Sequence, residues 1–320
     1  MSMEESKSLA FLSSVAGIGQ QTLWKIQAAL RAASVSQSAL LPATSNLSSS
    51  RQTTPEETWK QFWVLGSSWW RKWGISDIQI ATIERRKKEQ TIDEYSDWLQ
   101  RHQIRVVHFD ESEYPPLLRE IENPPLILFA KGSSMDWNTG PPVAVVGTRH
   151  MTEYGKRVTE KITSELVLNG AQIVSGFMYG VDICAHRSAL DWEGQTIGVL
   201  GYGFTYVYPK SYTSTFLEFL ERGMTFITPF APDVAPTKGN FPARNAIVAG
   251  MSKAVVVTEA AEKSGTHITA GYAADFGRSV YAVPGSIFSP YSRGVKALIN
   301  QGATLIDSGE EVTASSVDIS

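Results

Sequence analysis

Residues 171–190 read AQIVSGFMYGVDICAHRSAL. An apolar run passes into Ser175-Gly176, a second glycine stands at 180, and a helix through His186 and Leu190 follows. The spacing predicts strand, turn, helix. The same unit recurs on both sides. VAVVG (143–147) precedes a helix with Val158, Ile162 and Leu166 at i, i+4 and i+8, stopped by Gly170. TIGVLG (196–201), MTFIT (224–228), AVVVTE (254–259) and SVYAVPG (279–285) continue the series. IRVVHF (104–109) and LILFA (126–130) also look like strands, separated by Pro115-Pro116 and Pro124-Pro125. Strands this apolar are covered on both faces, as in a parallel sheet flanked by helices. From residue 104 on, the sequence therefore predicts an α/β fold with a doubly wound, mostly parallel sheet.

The first hundred residues follow a different pattern. SLAFLSSVAGIGQQTLWKIQAALRAA has Leu9, Leu12 and Val15 at helical spacing, a break at Gly17-Ile18-Gly19, then Leu23, Ile26 and Leu30. Helix, GIG turn, helix is the form of a helix-hairpin-helix, whose turn amides can face a DNA phosphate. A plain helical hairpin is the alternative. Residues 41–55, rich in Ser, Thr and Pro, read as a loop. Residues 59–73 hold five tryptophans, of which Trp59, Trp63 and Trp70 share a helical face. Core packing is the role expected for most of them, base stacking the alternative. Arg85-Arg86-Lys87-Lys88 reads as a solvated helix face.

Composition excludes several classes. Hydrophobic residues make up 42% of the 320, enough for a sizeable core. The lone cysteine, Cys184, rules out an intrachain disulfide and an all-cysteine metal cage, which fits a reducing cytoplasm. No run of ~18 apolar residues suggests a membrane span, and MSMEESKSLAF lacks the pattern of a signal peptide. The net charge of −3 does not advertise a nucleic-acid binder, so such binding would need a local basic patch.

In a doubly wound sheet, ligands bind beyond the carboxyl ends of the strands. Those ends carry Gly147-Thr148-Arg149, Ser175-Gly176, Gly201-Tyr202-Gly203 with Tyr208-Pro209-Lys210 soon after, Thr258-Glu259 with Ser264-Gly265-Thr266, and Pro284-Gly285. Phe241-Pro242-Ala243-Arg244-Asn245 opens a helix between them. Glycine at a strand–helix turn is ordinary turn chemistry. Five such turns on one sheet edge favour an anion-binding crevice, with small residues letting phosphate approach the backbone and Arg149, Lys210 and Arg244 adding positive charge.

Other chemistries fit poorly. Asp182 and His186 can share a helix face, but Cys184 points about 160° away, so the three do not converge on a metal. His186 is expected to bond to Asp182 or to neighbouring backbone, and Asp182 to cap its helix. Ile173 occupies the first glycine position of a G-x-S-x-G nucleophile elbow. Gly147-Thr148-Arg149-His150 is not a G-x-G-x-x-G dinucleotide signature. No cofactor, metal or catalytic residue is expected.

Taken together, VAVVGTR, IVSGFMYGVDICAHRSAL, TIGVLGYG, YPK, FPARN, SGTHITA and AVPG resemble the DprA/Smf family of DNA-processing proteins, and the GIG hairpin fits its small helical, SAM-like N-terminal domain. The resemblance implies an extended Rossmann fold at residues 103–312, after a helical domain at 1–102 and before a tail at 313–320. It further implies a cytoplasmic homodimer that binds single-stranded DNA and loads the recombinase RecA during natural transformation, without catalysis. The family's Gly-Ser-Arg loop falls on Gly147, Thr148 and Arg149, its rim lysine on Lys210, and its FPxRN motif on Phe241, Pro242, Arg244 and Asn245. Its SGxxxGID motif falls on Ser175, Gly176, Gly180, Val181 and Asp182. Thr148 stands for the usual serine, Phe177-Met178-Tyr179 for a run ending in a basic residue, Ala246 for a second arginine, and Thr228-Pro229 for a common Ser-Glu pair. With the chain ending at Ser320, the C-terminal winged-helix domain of many relatives is expected to be absent.

Two functions remain to be separated. One is the mediator. The other is a nucleotide sensor or nucleoside-phosphate hydrolase resembling the LOG proteins, for which Glu259 would be the acid although the PGGxGT loop is missing. Val295, Leu298 and Ile299 form an apolar helical patch that the resemblance makes a self-association surface overlapping a RecA contact; packing on the chain's own sheet is the alternative.

Overall fold

The structure, a computed structural model, describes residues 2–35 and 54–314. Most of the Ser/Thr/Pro-rich segment at 41–55 and all but the first two residues of the 313–320 tail lie outside the described residues. The chain divides into two compact units, residues 1–111 with 125–129, and residues 112–124 with 130–320. The division differs from a single boundary at 102/103, because the first strand and most of the second group with the helices.

In the helical unit, α1 (Met3–Ser13) and α2 (Gln20–Val35) flank the GIG turn. Gly17 there adopts φ +84°, a conformation glycine reaches without strain. The helices α3 (Pro55–Leu65), α4 (Ser67–Lys72), α5 (Asp77–Glu89) and α6 (Ile92–Arg101) follow, then strand β1 (Arg105–His108). Thr54, Ser76 and Thr91 each close a capping box with Glu57, Gln79 and Glu94, which fixes where α3, α5 and α6 begin. Trp59 and Trp70 are buried, and the Trp70 indole N–H donates to the Phe62 carbonyl at 2.9 Å. Trp63 is half-buried and donates to Ser8 Oγ at 2.9 Å. Core packing thus holds for these three.

Strand β2 (Ile127–Lys131) crosses the division between the units. In the α/β unit, β3 (Pro142–Val146), α7 (Glu153–Leu168), β4 (Gln172–Ser175), α8 (Val181–Asp191), β5 (Thr196–Val199), α9 (Thr213–Glu221) and β6 (Thr225–Thr228) alternate as expected. The chain continues with α10 (Asn240–Gly250), β7 (Ala254–Val257), α11 (Gly265–Asp275), β8 (Ser279–Ala282), α12 (Ser292–Asn300), β9 (Thr304–Leu305) and α13 (Glu310–Ala314). The strands lie in the order β6-β5-β4-β3-β7-β8-β9. All of these pairs are parallel, with Val143 opposite Ile173 on one side and Ala254 on the other. Buried Val143, Val145, Ile162, Leu166, Ile173, Val181 and Val256 pack between the sheet and α7–α8.

This order places the functional edge. From β3 the chain winds outward through β4, β5 and β6, then returns to β7 on the other side of β3 and winds the opposite way. The two connections leave β3 and β7 in opposite directions, which opens a crevice beyond their carboxyl ends.

Candidate functional site

A crevice of about 570 Å3 lies at that switch point. Gly147, Thr148 and Arg149 after β3 and Ser264, Gly265 and Thr266 at the start of α11 line it. Gly176 after β4 and Phe241, Arg244 and Asn245 of α10 also line it, whereas Ser175, Gly180 and Lys210 do not.

The inner wall is an ion pair that backbone geometry makes possible. Arg244 is 5% exposed, and its Nη1 lies 3.9 Å from Asp182 Oδ2. A Cβ on Gly176 would fall 1.5 Å from that Nη1, so only glycine lets the guanidinium lie against the turn. Gly180 is required in the same way: its φ is +80°, and a Cβ would meet the Thr148 carbonyl at 2.2 Å. Burial pushes the Asp182 carboxyl up, and the Arg244 charge opposes it. Burial likewise lowers Arg244, with Asp182 acting the other way. Arg244 Nε has no hydrogen-bond partner among the described residues, which is unusual for a buried donor. Arg244 is therefore a wall residue rather than the exposed rim cation expected from its place in a helix.

Three mobile-stemmed cations ring the mouth. Arg149, Lys238 and Lys263 are exposed and line the crevice. The Arg149 guanidinium lies 5.9 Å from the Phe241 ring centroid, and Tyr208 meets the same ring at 5.7 Å. Among the described lining residues the only carboxylate is Asp182, already opposed by Arg244. The N-termini of α10 and α11 open here, and no side chain caps either. The Ser264 hydroxyl is buried without a partner at the α11 start. By contrast, α7 is capped by Thr152. The crevice thus offers helix amides, two unfilled buried donors and three outer cations, an arrangement suited to an anion.

Several expected residues stand elsewhere. Ser175 is buried and donates to the Val145 carbonyl at 2.7 Å, tying β4 to β3. Gly180 serves as N-cap of α8 and faces a second cleft with Ile183, Cys184 and Tyr212. Asp182 does not cap that helix. Lys210 opens the short helical turn Lys210–Tyr212, exposed but outside the crevice lining. Tyr202 is 1% exposed, with its hydroxyl donating to the Tyr208 carbonyl, whereas Tyr208 and Phe241 line the crevice.

His186 contacts the Gly176 carbonyl and Thr196 at 2.6 and 2.7 Å, not Asp182. Cys184 turns the other way, toward the Lys156 carbonyl, and burial pushes its thiol up to about 12. The self-association patch is also corrected: Val295 is 2% and Leu298 6% exposed, because α12 lays its apolar side on its own unit, and only Ile299 remains half-buried. Glu259 is 3% exposed and outside the crevice lining. Its carboxylate accepts the Thr152 amide at 2.9 Å and the Thr152 hydroxyl at 2.7 Å at the start of α7.

Sequence reasoning missed Lys238, Lys263, His150, Met178 and Tyr291 in the lining. Lys263 directly precedes Ser264-Gly265-Thr266 and Lys238 lies three residues before Phe241, so proximity to those motifs was the available signal.

Comparison with known proteins agrees with this architecture. The family model for DNA recombination-mediator protein A matches residues 105–316. The chain is 39% identical over 209 residues to DNA processing protein DprA of Bacillus subtilis, covering 65% of this chain and 70% of that protein. It is 38% identical over 215 residues to Protein Smf of Escherichia coli, covering 67% of this chain and 57% of the relative. The structure of DprA from Streptococcus pneumoniae matches with a TM-score of 0.65 at 36% identity, covering 73% of this chain and 81% of that one. DprA of Helicobacter pylori, solved for its single-stranded DNA binding mode, matches with a TM-score of 0.59 at 29% identity, covering 67% and 96%. With its fold and most of its length matched, the chain belongs to the DNA recombination-mediator protein A family.

Proposed function

We propose that the crevice binds single-stranded DNA, and that the protein is a non-catalytic recombination mediator that protects an incoming strand and loads RecA during natural transformation. One observation carries the DNA assignment: Arg244 Nε and Ser264 Oγ are buried donors left unfilled in a crevice ringed by Arg149, Lys238 and Lys263. A phosphate in the crevice meets the uncapped starts of α10 and α11 and the three outer cations. Tyr208 and Phe241 then offer ring surface to an unstacked base. The Helicobacter pylori relative's single-stranded DNA binding supports the same ligand here. The engagement of Glu259 with Thr152 supports a role without hydrolysis.

The mediator is proposed to act as a cytoplasmic homodimer. With Val295 and Leu298 buried, the large apolar side chains exposed next to α12 in the chain are Ile287 and Phe288 before it and Leu305 after it. Self-association is expected there, and light scattering at micromolar concentration tests it: Phe288→Asp should give a folded monomer, and a dimer that survives this change sinks the placement. RecA loading is tested by following RecA assembly on a strand with and without the purified chain.

The DNA assignment is tested by anisotropy of a labelled oligo-dT strand titrated at several salt concentrations, against a duplex of the same length. The parent should prefer the single strand. Arg149→Glu with Lys263→Glu should remove nearly all crevice binding. A folded double variant that binds as tightly as the parent overturns the crevice as the DNA site, provided the second surface described next is also neutralised.

A further inference from the structure

The tryptophan-rich segment and the basic run after it form one surface in the helical unit. Residues 67–90 carry six lysine and arginine side chains against three carboxylates, in a chain whose net charge is −3. Two of the cations, Lys72 and Lys87, are placed on indole faces. Lys72 Nζ lies 4.3 Å from the Trp69 ring centroid. Lys87 Nζ lies 5.6 Å from the rings of both Trp63 and Trp70. Trp70 is buried, whereas Trp69 and Trp73 are half-exposed, with ring centroids 6.1 Å apart. Arg71 is paired with Asp77, but Lys72 has no ion pair among those resolved in the described residues. The core explains Trp59, Trp63 and Trp70. Trp73 is anchored by stacking on buried Phe62, with ring centroids 5.7 Å apart, but the core does not explain why Trp69 stands half in water beneath Lys72.

We propose that this surface, centred on Trp69, Lys72 and Lys87, is a second single-stranded-DNA contact, separate from the crevice. A base has a π-face for the indole and a phosphate for the ammonium within one nucleotide, so alternating ring and cation suits a single strand. An anionic membrane fits less well. Seven of the thirteen residues of α5 are charged, three of them carboxylates; its Ile80 and Ile83 are buried in the unit's own core, and Ile78 is its one exposed isoleucine. No continuous apolar face is left to enter a bilayer. The inference stands on the helical unit alone and does not require the crevice to bind DNA.

The test uses the full chain and oligo-dT anisotropy across salt, with melting as the folding control. Lys72→Gln with Lys87→Gln should weaken binding and flatten the log–log salt dependence by about 1.4, at ~0.7 per phosphate contact on a single strand. Trp69→Ala should weaken binding about fivefold or more, and Trp69→Phe much less, because stacking needs a ring. In the Arg149→Glu, Lys263→Glu background, residual binding should persist and vanish when the two lysines are also neutralised. If the lysine and tryptophan variants bind like the parent, this inference is overturned and the crevice stands. If binding survives the crevice variant undiminished and vanishes in the lysine variant, the crevice fails and the second surface stands. Equal affinity for duplex in the crevice background, or binding to phosphatidylserine vesicles with none to oligo-dT, also overturns it.

Discussion

A methyl group on Gly176 would fall 1.5 Å from Arg244 Nη1 and 2.4 Å from Asp182 Oδ2, so this turn and this ion pair are built against each other. Gly176→Ala should drive the guanidinium off Asp182 and strand a buried carboxyl. Breaking a buried pair costs about 3–5 kcal/mol, and the 3.9 Å separation here points to the lower end. Arg244→Ala should be destabilising for the same reason, which makes it a poor probe of DNA affinity alone. Asp182→Asn added to Arg244→Ala should restore part of the loss by removing the unpaired charge. Denaturant melts of the four proteins decide it; a Gly176→Ala variant as stable as the parent would show that the packing is loose.

The outer cations should behave differently from the wall. Arg149, Lys238 and Lys263 are exposed, so their removal should leave stability within about 0.5 kcal/mol of the parent. Each alanine variant should weaken binding to oligo-dT by a similar factor across sequences and flatten the salt slope by about 0.7. Lys210→Ala should change affinity less, since Lys210 lies outside the crevice lining. A larger loss at Lys210 than at Lys263 would move the strand's path toward the Lys210–Tyr212 turn.

Glu259 separates the mediator from a hydrolase. Its carboxylate is occupied by the Thr152 amide and hydroxyl, and its main-chain carbonyl accepts the Thr148 amide at 2.8 Å. Glu259→Ala should therefore destabilise the α/β unit by about 1–2 kcal/mol, through the half-buried Thr152 donors left without their acceptor. Affinity for DNA in the surviving folded fraction should stay near that of the parent. Incubation of the parent with nucleoside monophosphates should release no base. Turnover that Glu259→Gln abolishes would refute the non-catalytic assignment.

The strand–helix alternation was legible because a parallel sheet buried on both faces leaves continuous apolar runs such as Val143–Val146 and Ala254–Val257. The crevice edge was legible because glycines cluster where strands end. What the sequence hid was direction. Arg244 looks like a surface cation in a helix, and only the missing Cβ at Gly176 explains how it turns inward. Val295 and Leu298 have the spacing of an amphipathic helix whether the partner is another copy or the chain's own sheet, and the structure selects the sheet. Lys238 and Lys263 carry no pattern of their own; the chain's return from β6 to β7 brings their segments to one place. The strand β1 was visible, but its grouping with the helices depends on long-range contacts that local spacing does not encode.

His186 links the crevice wall to pH. It is fully buried, and burial holds its imidazole down to about 4. A neutral ring fits its partners when Nε2–H donates to the Gly176 carbonyl at 2.6 Å and the Thr196 hydroxyl gives its one proton to Nδ1 at 2.7 Å rather than to the Ile173 carbonyl at 3.1 Å. In the unfolded chain the same ring titrates near 6.5. Below that value the unfolded state binds a proton that the native state refuses, so stability is complete above pH ~6.5 and falls as pH drops toward 4. The total loss from this one group is about 3 kcal/mol at 1.36 kcal/mol per unit. His108, lowered by burial in the helical unit, pushes stability in the same direction, so whole-protein melts alone do not isolate the effect. His186→Phe should flatten the pH dependence of the α/β unit between 6.5 and 4 while lowering its stability at pH 7, since the Gly176 carbonyl loses its donor. Nitrogen-resolved spectra of the labelled imidazole should show the Nε2–H tautomer persisting at pH 5. A protonation midpoint near 6.5 in the folded protein would mean that the ring is open to solvent and that the Gly176 turn is not held as described.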